Sequence, residues 1–275
     1  MTEKIQSRVY RFVVYAGALF SMTVLVLIVG HILIKGIPHF KPELFAWEYN
    51  SNNVSMMPSI INTLLMTLIS LIICVPLGIG AAIYLTEYAK RGSRLVKIVR
   101  MTAETLSGIP SIIYGLFGSL FFVVALKMEL SMISGALTLS IMVLPTIMRT
   151  TEEALLAVPD SYREGSFGLG AGRLRTTFKV VLPSAVPGIL SGIILAVGRI
   201  VGETAALIYT AGTVAKVPDS VMDSTRTLAV HMYAISTEGL YINQSYATAV
   251  VLLVVVLGIN ALSSFIAKRI GRSPI

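Results

Sequence analysis

SIINTLLMTLISLIICVPLGIGAAIYL, residues 59–85, runs from Ser59 to Leu85 without a charged side chain. As a helix it would extend roughly 40 Å at 1.5 Å per residue, more than the ~30 Å hydrocarbon core of a bilayer. Working outward, five further apolar runs of similar kind appear. With the first, the six cover about Arg11–Leu33, Ser59–Leu85, Ala103–Leu126, Met132–Met148, Ala185–Tyr209 and Asn243–Ala267. The chain of 275 residues is 55% hydrophobic and only 13% charged, about half the charge of soluble domains. Disorder, collagen, a disulfide scaffold and a single soluble domain are thereby excluded. The fold class is an all-α polytopic membrane protein with six transmembrane helices. The single cysteine, Cys74, lies in an apolar run, so the chain forms no internal disulfide and no cysteine metal site. His31, His39 and His231 lack ligand spacing.

The basic residues orient the spans. With a cytoplasmic N-terminus, sixteen lysines and arginines fall inside, five fall outside, and Arg199 lies within a span. This bias predicts both termini in the cytoplasm. The net charge of +8 is therefore mainly topological, with anionic membrane lipid rather than nucleic acid as its partner. The first run follows Lys4, Arg8 and Arg11; it is longer than a signal-peptide core and reads as a retained anchor. The organisation expected is 1–58 for the N-terminal tail, first span and external loop, 59–267 for the transmembrane core, and 268–275 for a cytoplasmic tail. The last external loop, about Ala211–Ile242, carries Asp219, Asp223, Arg226, His231 and Glu238. It reads equally as a partner contact or a solvated connector.

The cytoplasmic segment 150–183 is the most specific. Ser161-x-x-Glu164 has the form of a capping box, which predicts a helix start. Gly168, Gly170 and Gly172 predict its end, and Arg173–Val181 a second helical piece closed by Leu182-Pro183. Glu164-Gly165-Ser166, three residues, Gly170, nine residues, Val180, one residue, Leu182-Pro183 is similar to the E-A-A-x3-G-x9-I-x-L-P loop of ABC importer permeases. Gly165 and Ser166 replace alanines, and Val180 an isoleucine. Two further stretches, Gly108-Ile-Pro-Ser-Ile-Ile-Tyr-Gly-Leu-Phe-Gly118 and Gly198-Arg-Ile-Val-Gly-Glu-Thr-Ala205, resemble motifs of phosphate-importer permeases. Arg149-Thr-Thr-Glu-Glu-Ala-Leu155 with Val158-Pro159 resembles the PstA-type subunit more than its PstC-type partner.

The resemblance implies a type I ABC importer (MetI-like) permease fold in a bacterial inner membrane. It implies a loop that docks on an ATPase through Glu164, Gly165, Ser166, Gly170, Leu182 and Pro183. The implied partners are a PstC-type permease subunit, a PstB-type ATPase dimer and an external PstS-type phosphate-binding protein. No cofactor of its own is implied: the chain has no Gly-Lys dipeptide, hence no Walker A loop, and ATP belongs to the partner.

The candidate substrate residues are Arg199 and Glu203. They are ionisable, lie inside a span, and at a spacing of four share one face if the helix is continuous. Arginine's planar fork suits an oxyanion. Glutamate beside it accepts the proton of hydrogen phosphate, which sulfate lacks. Gly188, Gly192, Gly198 and Gly202 on the same run form small-xxx-small pairs for close packing. Glu104 reads as the acidic first turn of the third span. Asn62, Thr63, Thr67, Ser107, Ser111 and Tyr114 fit either a polar route or helix-packing bonds. Pro76, Pro110, Pro145 and Pro187 predict kinks or half-helices. The alternatives are a permease for sulfate or molybdate, and an ion-coupled secondary transporter. The latter would show inverted repeats and coupling residues in several spans.

Overall fold

The computed structural model describes residues 2–90 and 92–270. Arg91 and most of the expected tail 268–275 lie outside the described residues. Eleven α-helices follow in order among those described. They are α1 (Thr2–Gly36), α2 (Met57–Ile83), α3 (Arg94–Ser107), α4 (Ser111–Gly118), α5 (Met132–Leu156), α6 (Asp160–Gly168), α7 (Arg173–Thr176), α8 (Leu182–Gly202), α9 (Ala205–Thr210), α10 (Leu228–Thr237) and α11 (Ile242–Ile270). Wider π turns extend α2 through Tyr84–Tyr88 and α4 through Ser119–Ala125, and join α7 to α8 through Thr177–Val181.

Among the described residues five helices are long and apolar enough to cross a membrane, and a bent pair makes a sixth if it is counted as one span. That pair corrects the expected single span Ala103–Leu126, whose start lies inside α3. α3 and the α4 segment Ser111–Ala125 meet at 103°. Pro110 is the cause: its φ of −58° and ψ of 141° leave the helix, and a residue before proline avoids helical geometry. α3 is amphipathic, exposing Leu95, Ile98 and Met101 among Arg94, Lys97 and Arg100. Glu104 is therefore not in a first turn: it is exposed near the C-terminal end of α3.

α2 shows why the bundle closes. Its buried stripe is Ser59, Asn62, Thr63, Met66, Thr67, Ser70, Cys74 and Gly78, a helical repeat built mostly of small or polar residues. Leu64, Leu68, Ile72 and Leu77 face outward at 50–64% exposure. Lipid offers no hydrophobic gain over leucine, so close approach and hydrogen bonding select the packed face. The partner is α5, the most buried helix. Ser70 Oγ donates to Ala136 O at 3.3 Å, and Ser140 Oγ returns a bond to Ser70 O at 3.1 Å. A Cβ on Gly78 would come within 2.8 Å of Ile147. Such interhelical bonds contribute about 0.6 kcal/mol each.

α8 packs on the other side of α5. Gly188 meets Ala154 and Gly192 meets Thr150 with no room for a side chain. The second glycine pair behaves differently: Gly198 only approaches Asn260 of α11, and Gly202 meets nothing within 4 Å. Pro76, Pro145 and Pro187 all lie inside continuous helices, whereas Pro110 marks a break. α1 is exposed over most of its length and packs on α11, where Gly36 abuts the Tyr246 backbone. Between α1 and α2, on the side expected to be external, two short 3-10 turns and an Asn50–Asn53 hydrogen-bonded turn form a cap. Met56 N donates to Leu44 O at 2.8 Å, with both residues buried.

Candidate functional site

The loop between α5 and α8, expected from the sequence on the cytoplasmic side, is a helix–turn–helix. α6 starts at Asp160 with Pro159 as its cap, and Ser161 makes no capping bond. The expected capping box is not formed. Pro159 already holds extended geometry and Asp160 supplies the acidic first turn, so the helix begins before Ser161 can act as its cap. After α6 the backbone reverses. Leu169 N donates to Gly165 O, Gly170 N to Phe167 O and Ala171 N to Ser166 O, at 2.9–3.1 Å. Gly170 has φ +81°, which explains its fixed place in the pattern: a side chain there is strained. Ser166 Oγ and Thr176 Oγ1 lie 2.8 Å apart and bind α6 to α7.

The second piece does not close at Leu182-Pro183, as expected from sequence. It continues as one helix from Arg173 to Gly202. Pro183 has no N–H for the Lys179 carbonyl and its ring crowds that carbonyl. The turn just before it, Thr177–Val181, is widened to π geometry instead of broken. Leu182 and Pro183 are half-buried. Glu164 and Gly165 are exposed, and Glu164 has no ion-pair partner among the described residues. Tyr162, Phe167, Leu169, Leu174 and Phe178 present apolar surface beside it, Leu169 at 91% exposure. Exposed apolar groups gathered on one short loop mark a contact surface.

What fixes this loop was not visible in the sequence. Arg163 is satisfied on every side: Nη2 donates to Glu87 Oε1 and to Leu155 O, Nη1 to Val158 O, at 2.8–2.9 Å. Its side chain is 15% exposed and that of Glu87 8%. One guanidinium thus ties α6 to the end of α5 and to the π turn after α2. Arg100 forms a comparable pair with Glu152, fastening α3 to α5. A cleft of about 600 Å³ lies between these two pairs, with Lys90, Asp160 and Arg173 also on its wall.

The intramembrane candidates do not form the expected pair. α8 ends at Gly202, and Glu203 turns into extended geometry, φ −72° and ψ 131°. Glu203 is buried, and its Oε1 accepts from Ala206 N at 3.1 Å, capping α9 across the break. Arg199, in the last turn of α8, is half-buried and has no ion-pair partner among the described residues. The local reason is competition: six residues of helix restart at Ala205, and their first N–H groups need an acceptor that Glu203 supplies. One carboxylate oxygen is committed to backbone, and the guanidinium beside the break has no ion-pair partner among the described residues.

Of the polar residues expected near the route, Asn62, Thr63 and Tyr114 tie elements together, while Thr67 and Ser107 bond to carbonyls of their own helices. Asn62 Nδ2 donates to Lys216 O at 2.9 Å and Arg226 O at 3.2 Å. Leu228 N donates to Thr63 Oγ1 at 2.8 Å, and Tyr114 Oη to Leu106 O across the α3–α4 bend at 2.8 Å. The segment 211–242, expected as the last external loop, is correspondingly not a plain solvated connector, since Arg226 and His231 are buried. A lone arginine or histidine in a polar loop carries no periodicity, so sequence gave no sign of this burial. Elsewhere in the loop Lys216 is exposed and pairs with Asp219 at 2.5 Å, which raises the pKa of its amine.

Comparison with known proteins bears on both regions. Residues 74–273 match a family described as binding-protein-dependent transport system inner membrane component. The probable ABC transporter permease protein YqgI of Bacillus subtilis is 33% identical over 232 residues, 79% of each chain. The phosphate transport system permease protein PstA 1 of Mycobacterium tuberculosis is 33% identical over 219 residues, 78% of this chain and 70% of that one. A solved bacterial ABC transporter involved in import of the acidic polysaccharide alginate superimposes with a TM-score of 0.68. It covers 95% of this chain and 96% of that one at 15% identity.

Proposed function

The chain belongs to the family of binding-protein-dependent transport system inner membrane components, and from that premise we propose that it is the PstA-type permease subunit of an ATP-driven phosphate importer. It has the fold of type I ABC importer permeases and is a non-catalytic, integral inner-membrane subunit. In the proposed assembly a PstC-type permease supplies the other half of the pathway. A PstB-type ATPase dimer binds ATP, and an external PstS-type protein delivers the anion. Both termini face the cytoplasm.

The observation that carries the reading is Arg199. A half-buried guanidinium on a membrane-crossing helix, with no carboxylate of its own, calls for an anion from outside the chain. Its fork can hold two oxygens of a phosphate. Glu203 Oε2 makes no hydrogen bond within the described residues and remains an acceptor for a P–O–H group. At the cytoplasmic side Glu164, Gly165, Ser166 and Gly170 with the apolar loop residues form the ATPase contact. Leu182 and Pro183 lie where that loop passes into α8. The similarity to PstA proteins supports phosphate as the cargo.

Proteoliposomes holding the assembled transporter and its binding protein test this. ATP-dependent uptake of labelled phosphate is expected, resistant to excess sulfate and competed by arsenate, which also carries a proton. Sulfate or molybdate uptake without phosphate uptake would overturn the assignment.

A further inference from the structure

α3 carries charge that its packing does not use. Residues 90–100 hold five basic side chains and no acidic one. Arg100 pairs with Glu152, whereas Arg94 and Lys97 are exposed and have no ion-pair partner among the described residues. The second half of the helix, Met101–Ser107, has no basic residue. Its one acid, Glu104, is two positions from Thr102 and does not share its face.

The helix turns one side to the bundle and leaves another open. Val96 and Ala103 are buried, while Leu95, Ile98 and Met101 are 55–59% exposed. Arg94, Ile98 and Thr102 follow at intervals of four and line up along one face. A groove of about 200 Å³ runs there between α3 and α5. Ile98, Thr102 and Leu106 form one wall, Leu144, Pro145 and Met148 the other, and Thr102 is the one polar side chain on it.

The groove lies at membrane depth. Its α5 residues are eight to twelve positions before Leu156, where α5 ends, roughly 12–18 Å at 1.5 Å per residue. Arg100 is fastened to Glu152, one turn nearer that end. The Leu106 carbonyl accepts from Tyr114, beside Gly115, which abuts Ala206 past the far end of α8. The basic half of α3 is therefore toward the membrane surface that adjoins α6, and Leu106 is toward the middle.

An apolar slot in the membrane with unanswered cations at its outer end matches a molecule with an acyl chain and a negative head. A helix of another subunit fits less well, because closely packed membrane helices meet through small residues and the open side of α3 presents leucine, isoleucine and methionine. Amphipathic basic helices seat in the headgroup boundary, and basic pockets between membrane helices hold phospholipid phosphate. We propose that the α3–α5 groove binds one anionic phospholipid of the adjoining leaflet, its acyl chain between α3 and α5 and its phosphate against Arg94 and Lys97. This is a discrete site, separable from the general attraction of basic loops to an anionic bilayer.

The test counts bound lipid. The assembled transporter is purified in mild detergent, stripped of lipid and titrated with phosphatidylglycerol or with phosphatidylcholine of equal chain length. Native mass spectrometry reads the lipid bound per copy of this chain. Arg94→Gln with Lys97→Gln is expected to remove one phosphatidylglycerol, or to weaken it about tenfold or more, and to leave phosphatidylcholine unchanged. Thr102→Trp fills the groove without touching either charge and should remove the same lipid. Arg175→Gln with Lys179→Gln takes equal charge from exposed positions elsewhere and should remove none. An unchanged count in the first double variant or in Thr102→Trp overturns the site, as does equal loss in both double variants. Should a variant fail to assemble, a structure of the parent transporter in phosphatidylglycerol decides. A phospholipid in the groove supports the site, and an empty groove or a helix of another subunit there overturns it.

Discussion

Arg199 stands out in the sequence because it interrupts an apolar run, whereas its geometry does not. A spacing of four implies a shared helix face only if the helix continues, and Glu203 instead caps the helix that restarts after it. The structure therefore changes what substitution should do. Arg199→Gln strands no partner within the chain, so membrane yield should stay near that of the parent while phosphate uptake falls at least about tenfold. Glu203→Gln keeps an oxygen for Ala206 N, so the break should survive. Phosphate uptake should drop and sulfate be rejected less well. Unchanged uptake in both, normalised to permease amount, would leave the two residues a purely structural role. His231 yields a second test at this scale. Its folded pKa of about 3 is below the ordinary 6.5, so on acidification the unfolded chain takes up the proton first. Its contribution is complete above pH 6.5 and is lost as pH falls toward 3, at up to about 1.4 kcal/mol per pH unit. The apparent melting temperature of the assembled transporter should fall from pH 6.5 to 5, and His231→Gln should flatten that slope. Parallel curves for the two proteins would refute a neutral, buried imidazole.

Elements were legible where the chemistry is local. Apolar length located the candidate spans and Gly170 the turn after α6, whereas Pro110 looked like Pro76, Pro145 and Pro187 and alone among the four breaks its helix. The joins were not legible. That α7 and α8 form one helix depends on a π turn absorbing Pro183, and that α6 is anchored depends on Arg163 meeting Glu87, 76 residues earlier. Long-range pairs of this kind leave no spacing in the sequence. Arg163→Met should uncover Glu87 and two carbonyls, costing about 3 kcal/mol or more. Glu87→Gln should cost less, and the double variant less than the sum of the singles. Proteolysis at the Gly170 turn of the purified transporter gives the readout, and strictly additive effects would deny the tie. Glu164→Lys is the control: exposed and unpaired, it should leave the loop as resistant as before while ATP-driven uptake is lost.

For the whole molecule, the distribution of basic residues predicts an orientation with both termini in the cytoplasm. Ser51→Cys and Ser161→Cys, both at exposed positions, test it in a chain whose Cys74 has been replaced. An impermeant thiol reagent on intact spheroplasts should label the first and spare the second. The reverse pattern would invert the topology. One consequence concerns leverage. Because the helix is unbroken from Arg173 to Gly202, the loop proposed to meet the ATPase and Arg199 are two ends of a single rod. Twenty-six residues separate Arg173 from Arg199, roughly 39 Å at 1.5 Å per residue. A tilt of only ~5° about the cytoplasmic end would swing the guanidinium by ~3.4 Å over that length. That is more than one hydrogen-bond length, so a small rocking motion at the ATPase would suffice to make or release an anion's grip on the far side.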